Sequence, residues 1–459
     1  MPVTKGQRAY ALALLFAINF MNFYDRQVVG AVGEQIKHDW SLTDKELSLL
    51  TTAFVLLYAL VGLPLGHWAD IGRRKIILAS GVIVWSGFTA LSGIAWGFAS
   101  LFVFRLGVGV GEASCAPAGN SLLGDLFPAE QRARAIGVFM LGLPLGLGSS
   151  YVVSGLIAKQ IGWREALLVA AAPGFILGVL ALWLPDPPRG AAEPHRSPTT
   201  QREGLGIMTV LRVPTMWWII ASGALLNLNM YALGSFLTSF LMRYHGLDID
   251  HANRISAVVY GFGGGLGLMF GGWLGDRVAR ARISGRLELA ALAMLLAAPC
   301  LYFAIEQPRG SYRHFAALML PGCLMLYVYY STVYATIQDV IEPALRGTAM
   351  AVYFFVFYLF TAIGLYAFGW LSDFLAGQWE ATGQPPSEAR ALGLHQALYV
   401  VPAITASLMF VLWAGSRTVQ RDMAGSSNAG RARRREPRKS HWIRTVTGTR
   451  ITSGAGWLT

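Results

Sequence analysis

Long apolar runs recur twelve times along this chain, and nothing else in the sequence limits its fold as much. Their soft boundaries are about 10–33, 45–69, 76–96, 99–123, 133–158, 164–185, 214–242, 253–275, 286–306, 314–339, 348–376 and 393–415. A helix needs about 20 apolar residues to cross the hydrocarbon of a bilayer. Lipid offers no hydrogen bonds, so each span must satisfy its own backbone, which runs of this length do as helices. Charged residues make up only 14% of the chain, against about 25% in soluble domains. The sequence predicts an all-α integral membrane protein with twelve transmembrane helices.

The loops predict the topology. Residues 186–212 form the longest polar interior segment, rich in proline and arginine, and divide the spans six and six. With the amino terminus inside, the inner segments hold 26 Lys/Arg and the outer ones nine, while Arg26 and Arg105 lie within spans. That asymmetry places both termini in the cytoplasm. The expected organisation is a six-helix half over 1–185, a cytoplasmic linker over 186–212, a second half over 213–415, and a basic, disordered tail over 416–459. The tail carries much of the net charge of +12. Beside a membrane it is read as meeting anionic headgroups, not nucleic acid. Lys5 and Arg8 precede an apolar run too long for a cleavable signal, so the first span is expected to be retained. These features fit a bacterial inner membrane. Cys115, Cys300 and Cys323 lie inside apolar runs and form no CxxC, so no disulfide framework, metal site or cofactor is expected.

Charges inside the spans point to function. Asp25 and Arg26 interrupt the first span, each at a cost of at least about 2.5 kcal/mol. Asn19, Asn22 and Arg26 fall at i, i+3 and i+7, with Asp25 three after Asn22, which predicts one polar face turned toward a protein-lined interior. A carboxylate there is disfavoured by its surroundings and restored by a nearby arginine, so movement of either changes its proton affinity. A static ion pair fixing helix packing is the other reading. On the fourth span, Arg105 and Glu112 are two turns apart on one face, separated by Gly107, Gly109 and Gly111, which admit a neighbouring helix. Pro144 predicts a bend in the fifth span.

The two halves repeat. Gly66-His67-Trp68-Ala69-Asp70-Ile71-Gly72-Arg73-Arg74-Lys75 follows the second span, and Gly271-Gly272-Trp273-Leu274-Gly275-Asp276-Arg277 follows the eighth. Asp125 with Arg132 follows the fourth span, and Asp339 with Arg346 the tenth. These loops and the six-plus-six plan resemble the major facilitator superfamily of secondary transporters. Asn22-Phe23-Tyr24-Asp25-Arg26, Arg105-Leu106-Gly107-Val108-Gly109-Val110-Gly111-Glu112 and Gly124-Asp125-Leu126-Phe127 look like the Spinster family of lipid transporters within it.

The resemblance implies two six-helix pseudo-repeats around a central cavity that opens to each side in turn. It places Arg105 and Glu112 in a central polar network with Asp25 and Arg26. Carried over, Asp25 and Glu112 are proton-coupling sites and Arg105 is the balancing charge. It also implies that Asp70, Arg73, Arg74, Asp125, Arg132, Asp276 and Arg277 control gating. The second half has no mid-span carboxylate or base and offers instead Asn227, Tyr231, Tyr330 and Tyr334. With Asn22, Tyr24, Arg26 and Arg105 these are the expected cavity lining. A charged half facing an aromatic half suits an amphiphile, and the resemblance implies a lysolipid or sphingolipid-like substrate, moved with protons by a monomer. A small organic anion or drug-like compound is the alternative. No Ser-His pair within spans, HExxH, phosphate-binding loop or metal-ligand cluster points to an enzyme.

Overall fold

The computed structural model describes residues 3–188, 191, 205–341 and 345–435. Most of the expected linker, and residues 436–459 of the expected tail, lie outside them. The first half comprises α1 (Lys5–Trp40), α2 (Asp44–Ile71), α3 (Arg74–Gly93), α4 (Phe98–Glu112) with α5 (Cys115–Leu126), α6 (Ala129–Met140) with α7 (Gly142–Gln160), and α8 (Trp163–Ala181). A short α9 (Leu205–Leu211) leads into the second half. That half comprises α10 (Pro214–Arg243), α11 (Ile249–Ala257) joined through a π-helical turn at Val258–Gly263 to α12 (Gly264–Ala281), α13 (Gly285–Ile305), α14 (Tyr312–Val340), α15 (Arg346–Ala381), and α16 (Pro386–Ala397) with α17 (Val400–Arg435). Among the described residues, eleven helical segments are long and apolar enough to cross a membrane. α1 is the twelfth; it is 36 residues long, and Asn19, Asn22, Asp25 and Arg26 dilute its apolar character.

The fourth and fifth spans are broken, and proline accounts for both places. Pro117 lacks the N–H that would reach Ala113, and the fourth span parts between Glu112 and Cys115. Glu112 is thereby the last residue of its helix. Pro144 stands four residues after Met140, where α6 ends. Beside this break the Asn19 amide donates to the Phe139 carbonyl at 2.8 Å. α1 starts in a capping box, where Thr4 and Gln7 satisfy each other's amides.

Small residues let the helices approach. A Cβ on Gly109 would come within 2.5 Å of the Phe54 carbonyl on α2, and one on Gly111 within 2.6 Å of the Trp85 nitrogen on α3. The glycine stripe of α4 therefore serves two neighbours. The run Gly261–Gly267 likewise packs, chiefly against α14. Lipid gives helices no hydrophobic reason to associate, so close van der Waals contact of this kind holds the bundle.

α1 begins at one face of the bundle, called here the near face, and ends at the far face. The bonds joining the two halves run from mid-membrane to the far face. Arg243 donates to Glu34 at 2.7 Å and to Asp44 at 2.9 Å, and Lys37 pairs with Asp44. Asp373 of α15 accepts from the Asp44 and Lys45 amides at 2.9 and 2.7 Å, capping α2 from the other half. Ser372 reaches Asp44 at 2.7 Å, and Lys159 reaches Asp248 at 2.9 Å. Deeper, Asn253 donates to the Ala31 carbonyl and Gln27 to the Gly234 carbonyl. α7 meets the π-helical turn so closely that a Cβ on Gly148 would lie 2.9 Å from the Gly261 Cα. The far side is closed.

On the near face the Asp–Arg clusters bind within each half. Arg74, fully buried, pairs with Asp125 and with Asp186 at 2.9 Å, and donates to the Pro187 carbonyl. Arg286 pairs with Asp276 at 3.0 Å and with Asp339. The chain beyond residue 416 continues as helix to Arg435, where a disordered tail was expected. Asp422 explains its start: its carboxylate accepts from the Thr215 amide at 2.9 Å and hydroxyl at 2.6 Å, tying α17 to the first turn of α10.

Candidate functional site

The charges of α1 and α4 meet at mid-membrane. Arg26 donates through Nε to Glu112 at 2.8 Å, and Asn22, one turn earlier, donates to the same carboxylate oxygen at 3.0 Å. Asp25 turns away from its neighbour. Adjacent helical residues diverge, so its Oδ2 accepts instead from Thr89 of α3 at 2.5 Å. The expected pairing of Asp25 with Arg26 is thus exchanged: Arg26 belongs to Glu112. Arg105 stands beside the two carboxylates without bonding either. It makes no ion pair among the described residues; its guanidinium lies 5.3 Å from the Phe54 ring, within electrostatic reach of both Asp25 and Glu112.

Polar atoms here are left over. Asp25 Oδ1, Glu112 Oε1, and Arg105 Nε and Nη1 are buried without a hydrogen-bond partner. Asp25, Arg105 and Glu112 are each no more than 1% exposed. Buried polar groups are almost always partnered. Two free donors and two free acceptors in one cluster form a place that a proton, a water or a charged ligand would complete.

Aromatic rings from both halves surround it. The Arg26 guanidinium lies 4.4 Å above the Tyr58 ring of α2 and 4.9 Å from Phe23. Its Nη1 donates to the Tyr358 hydroxyl of α15 at 3.2 Å. Tyr330 and Tyr334 stand one turn apart on α14, with centroids 5.7 Å apart, and Tyr334 leads through Phe354 to Tyr358. Tyr231 packs beside them and within electrostatic reach of Arg26.

Not every expected lining residue faces this space. The Tyr24 hydroxyl is 2.9 Å from Ser154 and holds α1 against α7. Asn227 donates to Thr361 at 2.6 Å, joining α10 to α15. Both are buried in helix contacts. Of the expected gating residues, Arg74, Asp125 and Asp276 sit in the near-face clusters. Arg73 is exposed, and Arg277 lies over Trp273 at 4.5 Å. The basic partner of Asp276 is Arg286. Like Arg74, it stands in the first turn of the following helix, which was the readable signal. The side chains of Asp70 and Arg132 lie outside the described residues.

Thr89, Tyr58 and the far-face set of Glu34, Asp44, Arg243 and Asp373 were not foreseen. In the sequence they look like an ordinary span threonine, an ordinary aromatic, and charges at span ends.

The comparisons place this arrangement. The family model of the Major Facilitator Superfamily matches residues 15–365. The chain belongs to that superfamily. Within it the chain is Spinster-like: it is 30% identical to human protein spinster homolog 3 over 75% of this chain and 71% of that protein. It is 27% identical to an MFS-type efflux pump of Mycolicibacterium smegmatis over 91% of this chain and 95% of the pump. It is also similar to the crystal structure of a bacterial homologue of the human lysosomal transporter Spinster, inward-facing and unoccupied. That match has a TM-score of 0.81 and 26% identity, and covers 91% of this chain and 99% of the other. This transporter is therefore a multi-pass membrane protein with a fold built for alternating access.

Proposed function

We propose that this transporter moves an amphiphile, lysolipid- or sphingolipid-like, coupled to protons bound at Asp25 and Glu112. The observation that carries this is the set of unpartnered donors and acceptors on Asp25, Arg105 and Glu112. It lies beside the aromatic wall of Tyr58, Tyr330, Tyr334 and Tyr358. An anionic headgroup satisfies the Arg105 donors, and an apolar chain lies along the rings. Protonation of Glu112 weakens its hold on Arg26 and frees the guanidinium, so the headgroup and the Glu112 carboxylate compete for one arginine. The loop charges support a cytoplasmic near face in a bacterial inner membrane, with both termini inside. The structure is then the inward-facing state. Asp25, Arg26, Arg105 and Glu112 are the working groups, and Tyr231, Tyr330 and Tyr334 are cavity wall.

A second reading has its own support. The Mycolicibacterium relative is called an efflux pump and matches along 95% of its length, which favours a drug-like compound or small organic anion. Purified transporter in liposomes separates the two: a lysolipid, a sphingoid base, an organic anion and a cationic dye compete for counterflow of one labelled substrate. Competition by the lipids alone supports the first reading; competition by the dye or anion alone supports the second.

A further inference from the structure

The seam that closes the far side can be followed inward along α2 and α15. It begins at Asp44 with Ser372 and Asp373, and passes Gly369, where an added Cβ would lie 2.5 Å from the Ser48 hydroxyl. It continues at Thr52, which donates to the Ala362 carbonyl at 3.3 Å, and ends at Tyr58 against Tyr358, with centroids 4.7 Å apart. The innermost contact of the seam is thus the one that touches Arg26. The same guanidinium binds Glu112 through Nε and Tyr358 through Nη1.

We propose that Tyr358 is a positioning residue that couples the Arg26–Glu112 pair to closure of the far side, with Tyr58 as its counterpart across the seam. The guanidinium is a rigid planar fork. It cannot leave Glu112 for a substrate anion, or relax from a protonated Glu112, and keep its bond to Tyr358 in the same place. Loss of that bond weakens the seam at its inner end, where the halves first part. A hydrogen bond to a charged group shifts an equilibrium by about ten-fold or more. Such a shift moves a two-state population visibly. The inference rests on the proposed proton coupling and adds the path by which the coupling reaches the gate.

The groups that set the charge of the pair come from several elements. They are Asp25 on α1, Tyr58 on α2, Arg105 on α4, Cys115 on α5, Tyr231 on α10 and Tyr358 on α15. A single geometric change at Tyr358 leaves the other groups in place, which is what makes it testable.

The experiment measures far-face separation by spin labels at His38→Cys and Gln378→Cys, both exposed, in liposomes between pH 8 and pH 5. The three native cysteines are replaced in this background. The expected result is a pH-dependent change in the closed population that Glu112→Gln removes. Tyr358→Phe flattens the same change at least about five-fold while the protein remains folded and visits both states. Tyr58→Leu, which removes the ring contact, gives the same flattening. A Tyr358→Phe response equal to the parent's, with Glu112→Gln still abolishing it, overturns the relay and leaves proton coupling standing. A parent with no pH response overturns proton coupling and the relay together.

Discussion

Arg26 is held from two sides, by Glu112 in its own half and by Tyr358 in the other. Removing it strands a carboxylate that is 0% exposed. Breaking a buried pair from one side costs about 3–5 kcal/mol, whereas removing both charges costs much less. Arg26→Met is therefore predicted to lower thermal stability in detergent by about that amount. Arg26→Met with Glu112→Leu should recover a large part of it; equal loss in both would mean that the pair is not the unit that matters. The sequence made Asp25, Arg26, Arg105 and Glu112 visible, because lipid-spanning runs seldom carry charge. It did not make their partners visible. Asp25 and Arg26 are adjacent in sequence, and only the packing of α3 and α4 around α1 decides which faces Thr89 and which faces Glu112.

At the scale of elements, the broken spans and glycine contacts do the positioning. Pro117 and Pro144 mark the breaks in the fourth and fifth spans, and both are plain in the sequence, as are the glycine runs. Which helix each glycine meets is not, since contact depends on the arrangement of the whole bundle. The crossing of α7 with the π-helical turn joins the halves, so its tightness favours the closed far side. Gly148→Val or Gly261→Val is predicted to weaken that closure by about 1–3 kcal/mol, the usual cost of overpacking. Faster labelling from the far face of a cysteine at Ala31, whose carbonyl lies in the seam, would report it; unchanged labelling would show that the crossing does not discriminate between states.

The whole molecule is closed by charge at one face and braced by charge at the other. Twelve spans, their six-plus-six division and the near-face clusters follow from hydropathy and the repeated loop motifs. The far-face ties do not, because Glu34, Asp44, Arg243 and Asp373 have no motif and gain meaning only when the halves meet. Arg243→Ala releases Glu34 and Asp44 together and is predicted to shift the population toward far-side opening by ten-fold or more, about the worth of a hydrogen bond to a charged group. Spin-label distances across the far face check this. The outer tie of Lys159 to Asp248 is different. The Lys159 ammonium and the His251 amide hold the Asp248 carboxyl well below the usual carboxylate range. A depressed carboxylate keeps its contribution above its ordinary value near 4 and loses it only as pH falls further. Both groups are nearly half exposed, so Lys159→Ala should weaken closure by at most about 1 kcal/mol. That loss should be equal at pH 5 and pH 8.

The proposed pH dependence of transport arises in the central network. The most direct test is uptake of a labelled lysolipid into proteoliposomes with and without a pH gradient, in the parent and in Asp25→Asn and Glu112→Gln. The account predicts gradient-driven accumulation in the parent, and at least about a ten-fold loss of it in both variants, with gradient-free exchange of the lipid retained in at least one of them. Accumulation that survives both substitutions would contradict it.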